Sequence, residues 1–389
     1  MPTASHLDLQ SDEFIQYDQV LIPSEPFNAV LIDLLKKEEW DNKYTSDHVQ
    51  RRLLEMIADL KANITSLADV EARLTDLANE IQSFNSKFHV FFPLEGIQLQ
   101  AGPITIGLIT FEQIDEAKCQ EFCNHLGDDS ANEYIPLFKE RLRESIGNRA
   151  CAHFSAIAEE SRVRELGEVE LERVLDLLRF AITLQDPSRN IGFGLLGEVP
   201  RGRRMIPAID ESSHLTARHE AAGAFRDLII DDHILEGFRG IGLFEMSEVL
   251  RKSENSCTDF ERCLITAIRW CAIARNQIER EGEFLGLISA VETLLTPKDG
   301  SPITSSISES AARILGDNLE GRKTIKRRMK ELYRLRGKLT HGERVIVVDQ
   351  DAMLLRKYVI LLVSRMIRQR GRFETKQALL DWLEDERLR

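Results

Sequence analysis

Apolar residues recur every three or four positions across residues 47–84, at Leu53, Ile57, Leu60, Ile64, Leu67, Leu74, Leu77 and Ile81. That spacing predicts helix, as a helical hairpin or as a coiled coil over about four heptads. Ser66-Leu-Ala-Asp69 has the form of a capping box, which restarts a helix and favours the hairpin. The period changes over residues 88–111, FHVFFPLEGIQLQAGPITIGLITF, where β-branched and aromatic side chains are broken by Pro-Leu-Glu-Gly and Ala-Gly-Pro. This is the pattern of two or three strands with tight turns. Helices are predicted at 116–125, 131–146 and 165–182, and a strand at 150–158. Two further strands, 191–199 and 205–209, are expected to pair through Pro200-Arg-Gly-Arg-Arg204. Beyond residue 222 the strand pattern nearly disappears. Helical periodicity runs at 225–252, 260–279, 283–295, 306–315, 322–339, 352–367 and 374–384, with a loop at 297–302. The prediction is an α+β chain in three parts: a helical region 1–86, an α+β domain 87–221 and an all-α bundle 222–389.

Charge sharpens this division. The chain of 389 residues carries a formal net charge of −13, which argues against a surface that grips nucleic acid everywhere. The charge is unevenly spread: residues 301–389 hold 20 Lys+Arg against 12 Asp+Glu, a net of +8, and the first 300 residues sum to −21. Between Arg322 and Arg344 ten basic residues face only Glu331 and Glu343. A basic working surface on an acidic body follows, and phosphate is the ligand it suits.

The first residues, MPTASHLDLQSDEF, lack the basic and apolar regions of a secretory signal, and no apolar run approaches the ~20 residues of a membrane span. Six cysteines in so long a chain are no disulfide framework. The expectation is a cytoplasmic protein with reduced thiols and no membrane association.

Several motifs are weighed and set aside. Gly192-Phe-Gly-Leu-Leu-Gly197 matches GxGxxG in letters, but a dinucleotide site needs a helix to follow, and Pro200 and an arginine-rich turn come instead. Cys119, Cys123 and His125, with Cys151 and His153, are spaced more like buried cysteines than like zinc knuckles. No metal or other cofactor is expected. The Arg201–Arg204 cluster reads as a solvated turn.

One pair remains. In Arg336-Gly-Lys-Leu-Thr-His341 an arginine and a histidine are separated by four residues. At about 100° per residue, Met329, Leu332, Arg336 and Leu339 fall within about 40° of Ile325, so Arg336 sits inside an apolar stripe. Arg334 projects almost opposite, among Arg327, Lys330 and Lys338. A cation on a packing face needs a partner: either Glu292 on an earlier helix, in a purely internal salt bridge, or a phosphate received at an interface. Gly342 ends the helix, which leaves His341 as a proton-transfer group or as a cap on the helix dipole.

The order of these helices, with Phe284-Leu-Gly-Leu-Ile-Ser-Ala-Val-Glu292-Thr-Leu-Leu295 followed by Lys330-Glu-Leu-Tyr-Arg-Leu-Arg336-Gly-Lys-Leu-Thr-His341-Gly342, resembles the Apea-like HEPN domain family, whose members show an ALE-like helix and then LYxxRxxxxHG. The likeness spans residues 258–370. It implies that 222–389 is a HEPN-like bundle that forms a homodimer with two Arg/His motifs facing each other. It further implies a metal-independent endoribonuclease of a bacterial defence or toxin-type system. Carried over, Arg336 would bind the scissile phosphate, His341 would be the general acid/base, Glu292 would support Arg336, and Arg327, Lys330, Arg334 and Lys338 would bind RNA. An antitoxin or a phage-derived trigger is the implied regulator. One position departs from the family, where the residue after the motif arginine is often polar and here is Gly337. The alternative is a non-catalytic HEPN module that binds RNA, a nucleotide or a partner protein. A third reading is a structural assembly protein in which Arg336 is only an internal ion pair.

Overall fold

In a computed structural model of the chain, the described residues are 14–17, 20–37, 42–63, 67–83, 86–125, 134–199, 201–209, 215–223, 226–297 and 303–388. The architecture is mixed α+β. The chain divides into two units, residues 1–90 with 154–169, and residues 91–153 with 170–389.

In the first unit β1 (Phe14–Tyr17) and β2 (Val20–Pro23) pair antiparallel with Ile15 opposite Ile22. Helices α1 (Ser24–Lys37), α2 (Ser46–Asn63) and α3 (Leu67–Ser83) follow. The core includes Ile15, Ile22, Phe27, Leu31, Leu53, Leu54 and Leu77. α2 and α3 form a hairpin, bridged by Arg52 with Glu80 at 2.5 Å and by Arg73 with Asp59 at 3.4 Å. Of the predicted seam, Leu53 and Leu77 are buried, Ile57 is half-buried and Leu74 is exposed. Ser66, the predicted capping residue, lies outside the described residues.

The 88–111 pattern resolves into β3 (Lys87–Glu95), β4 (Ile97–Leu99), β5 (Ile104–Ile106) and β6 (Ile109–Ile114). Next come α4 (Glu116–His125), α5 (Tyr134–Ile146), β7 (Arg149–Ile157), α6 (Glu160–Ile182) and β8 (Gly194–Leu195). One sheet runs in the order β5-β6-β7-β3-β8. Cys119, Cys123 and Cys151 are buried in this part, and desolvation, reinforced by Glu112, pushes the Cys151 thiol up to about 12. Among the described residues no group of three or more His, Cys, Asp or Glu is arranged to hold a metal ion.

Two strand predictions are corrected. β9 (Arg201–Ile209) pairs along its full length with β10 (Leu215–Gly223), and β8 pairs with β3. The 191–199 segment therefore does not partner 205–209, and Arg201–Arg204 lies in a strand, not in a turn. β10 reads LTARHEAAG, and its Ala, Glu and Gly are depleted in strands, so its pairing rests on tertiary context. Strand also persists at β11 (Leu228–Ile230), parallel to β4, where helix was expected. After Gly197 the next element is β9.

From there every described element is helical: α7 (Asp232–Ile241), α8 (Leu243–Leu250), α9 (Asp259–Asn276), α10 (Arg280–Leu295), α11 (Ile303–Leu315), α12 (Leu319–Thr340), α13 (Asp349–Arg368) and α14 (Lys376–Leu388), with two short 3₁₀ turns. α10 is central, packing on α9, α11, α12 and α13. Phe284, Leu287, Ile288, Val291, Leu294 and Leu295 are all buried, and a helix apolar on all sides belongs inside. The helices are tied to the 186–191 loop by a buried polar node. Arg275 of α9 bonds Asp186 at 2.5 Å and the Ile191 carbonyl at 3.0 Å. Arg356 of α13 donates from Nε to Glu283 of α10 at 2.7 Å and from Nη1 to the Pro187 carbonyl at 2.6 Å, while Arg189 reaches Glu283 at 3.2 Å. No described helix is long and apolar enough to cross a membrane.

Candidate functional site

α12 starts where Asn318 accepts the Gly321 N–H at 2.8 Å, a side-chain cap on one of the helix's unpaired donors. Its buried stripe is Met329, Leu332 and Tyr333, with Ile325 and Leu339 half-buried. Arg336 continues the stripe one turn on, as its spacing predicted, and its guanidinium meets the Glu292 carboxylate of α10 at 3.3 Å. The Arg336 side chain keeps 39 % of its surface in solvent and Glu292 keeps 26 %. The cation is thus neutralised from one side and open on the other.

The helix ends in a complete Schellman turn. Gly342 stands at φ +75°, its N–H donates to the Leu339 carbonyl at 3.2 Å, and the Glu343 N–H reaches Lys338 at 3.0 Å. Only a residue free of Cβ strain closes this turn cheaply, which is why glycine follows the histidine. His341, at the cap, is exposed, and its ring makes no hydrogen bond among the described residues. Five residues of helix set Arg336 and His341 about 140° apart around the axis and about 7.5 Å apart along it. One copy of α12 therefore presents them on different faces.

The basic face is partly consumed locally. Lys323 pairs with Glu320, Lys326 with Glu309 and Arg328 with Glu331. Arg327, Arg334 and Lys338 are exposed, Lys330 is half-buried, and none of the four makes an ion pair among the described residues. Those four are available to a polyanion.

Sequence reasoning missed Tyr333. It is 4 % exposed, and its phenolic oxygen is buried without a hydrogen-bond partner among the described residues, a state costing about 1–3 kcal/mol. Burial first, then the Glu292 carboxylate, push the phenol upward, against the opposing pull of Arg336. Tyr333 is accordingly a hydrogen-bond donor throughout the neutral range. Thr296, one turn beyond Glu292 on α10, carries a second buried hydroxyl with no partner among the described residues.

Gly337 has open space where a side chain would be, since a Cβ there meets nothing within 4 Å. Gly337→Ala is expected to stabilise the protein by about 0.5–1 kcal/mol, the usual gain at an interior helix position. A urea midpoint that falls instead would show that this turn needs glycine. Comparison with protein-family models, with curated proteins and with solved structures finds no match.

Proposed function

We propose that this protein is a metal-independent endoribonuclease of a bacterial defence or toxin type, its helical part a HEPN-like bundle that works as a homodimer. The observation that carries the reading is the α12 terminus. A half-exposed arginine held by Glu292 and an exposed, unbonded His341 stand on a helix with four unpaired cations. The 140° between Arg336 and His341 supports a composite site in which a second copy supplies the complementary group. Arg327, Lys330, Arg334 and Lys338 carry the RNA backbone to the site. Arg336 binds the scissile phosphate and stabilises the charge that develops on it. The ribose 2′-oxygen attacks phosphorus and the 5′-oxygen leaves. His341 acts as general acid/base, so a 2′,3′-cyclic phosphate and a free 5′-hydroxyl result. Antitoxin or phage-derived triggers belong to the same proposal as regulators.

The test is RNA cleavage by purified protein in the presence of a chelator. His341→Ala is expected to lower the rate about a hundred- to ten-thousandfold while leaving the circular dichroism spectrum and the oligomeric state unchanged. Undiminished cleavage in that variant would remove His341 from the chemistry. Gly337, at the position where the resembled family often has a polar residue, favours a second reading, a non-catalytic module that binds RNA, a nucleotide or a partner protein. It expects salt-dependent RNA binding with no strand scission.

A further inference from the structure

We propose that Tyr333 is a positioning residue that takes over Glu292 when Arg336 turns from that carboxylate to a phosphate, an inference that rests on the reading of Arg336 as the phosphate-binding group. Among the described residues Glu292 has one ion-pair partner, Arg336, at 3.3 Å. Charge-assisted hydrogen bonds typically lie nearer 2.7–2.9 Å, so the pair is loosely held. The phenol of Tyr333 lies close enough for both Glu292 and Arg336 to act on it electrostatically, one turn from Arg336 on α12, the helix against which α10 brings Glu292. Its hydroxyl is already stripped of water and already without a partner.

Withdrawing the guanidinium toward a ligand on its exposed side leaves the Glu292 carboxylate three-quarters buried and uncompensated. The carboxylate is partly hydrated, so the loss is modest, and a donor that replaces the cation recovers it. The phenol is that donor, and by giving its hydrogen bond to Glu292 it satisfies both groups at once. Phosphate binding and the Tyr333–Glu292 hydrogen bond form together, while the unliganded protein holds Arg336 back and keeps Tyr333 waiting. The orphaned hydroxyl is then a feature of the free state that the bound state resolves.

The two states respond oppositely to Tyr333→Phe, which removes only the hydroxyl. In the free protein the substitution deletes an unsatisfied polar group, and a higher melting temperature is expected. In the complex it deletes a hydrogen bond to a charged group, and an uncleavable 2′-deoxy-substituted RNA oligonucleotide is expected to bind about tenfold more weakly by fluorescence anisotropy. In a Glu292→Leu background no acceptor remains, and the same Tyr333→Phe change is expected to leave affinity unaltered. Unchanged affinity in Tyr333→Phe, with affinity lost in Arg336→Ala, would overturn the exchange while leaving the phosphate role of Arg336 standing. A tenfold loss that persists in the Glu292→Leu background would overturn it too, because the effect would not run through Glu292. Affinity untouched by Arg336→Ala would remove the reading of the site, and this inference with it.

Discussion

Glu283→Ala is expected to destabilise the helical unit by about 3–5 kcal/mol, a large share of the ~5–15 kcal/mol that holds an ordinary domain together. The carboxylate is 2 % exposed and receives Arg356 and Arg189 together. Truncation leaves the Arg356 guanidinium, itself 9 % exposed, with only the Pro187 carbonyl to answer it. An uncompensated buried cation is among the few point changes with so large a cost. Urea denaturation followed by circular dichroism measures it. Glu320→Ala is the internal control, since its pair with Lys323 is solvent-exposed on both sides and is worth at most about 1 kcal/mol. The double change Glu283→Leu with Arg356→Met is expected to recover most of the loss, because a buried ion pair replaced by apolar groups of similar volume is often neutral or better. A Glu283→Ala midpoint indistinguishable from that of Glu320→Ala would show that the node is solvated and contributes little.

That node was not legible in the sequence, and the reason is distance along the chain. Arg275 and Asp186 are 89 residues apart, Arg356 and Glu283 are 73 apart, and no periodicity links positions so remote. The available signal was weaker: Arg356 falls inside the apolar run of α13, and a cation there must have a partner. The same argument, applied to Arg336, did lead to Glu292, because the stripe of α12 was read as a face and the acid on α10 was the nearest candidate. Helices were the readable part of the fold. The 3.6-residue period of α6, α9 and α12 reports which face is buried, and side-chain caps fix where two of them start, at Thr258 with Glu261 and at Asn318. The strands were less readable, because β8 is two residues long and the β9–β10 ladder depends on a partner whose composition does not favour strand.

Tyr333 escaped for a geometric reason. It lies about 80° from Ile325 around α12, at the margin of the stripe, and is buried by the helices that pack on α12 and not by the stripe alone. The consequence is more than one added core residue. With Arg336, Glu292 and Tyr333 considered together, this stretch of the α10–α12 contact offers a cation, an anion and a neutral donor, one more donor than the resting pairing uses. A salt bridge serving packing alone has no need of the third group. A site that changes partners does.

Arg336→Ala is expected to lower kcat for RNA cleavage about a hundred- to thousandfold, the usual loss when a group that stabilises charge in the transition state is removed. The fold is expected to survive, because the Arg336–Glu292 contact is long and partly solvated, within the range where ion pairs are worth about 1 kcal/mol or less. Arg334→Ala, on the same helix but exposed and unpaired, provides the contrast. It is expected to weaken RNA binding uniformly across sequences and to reduce the salt slope by about 0.7–0.9, with kcat little changed. Arg336→Lys keeps the charge but loses the planar fork that matches two phosphate oxygens, so an intermediate rate is expected. Single-turnover cleavage at saturating RNA separates these effects, because a pure binding loss disappears at saturation and a transition-state loss does not. Equal kcat losses in Arg334→Ala and Arg336→Ala would mean that position 336 is one cation among several on a basic helix. A loss confined to Arg336 would assign the phosphate to the α12 arginine that Glu292 neutralises on one side and solvent reaches on the other.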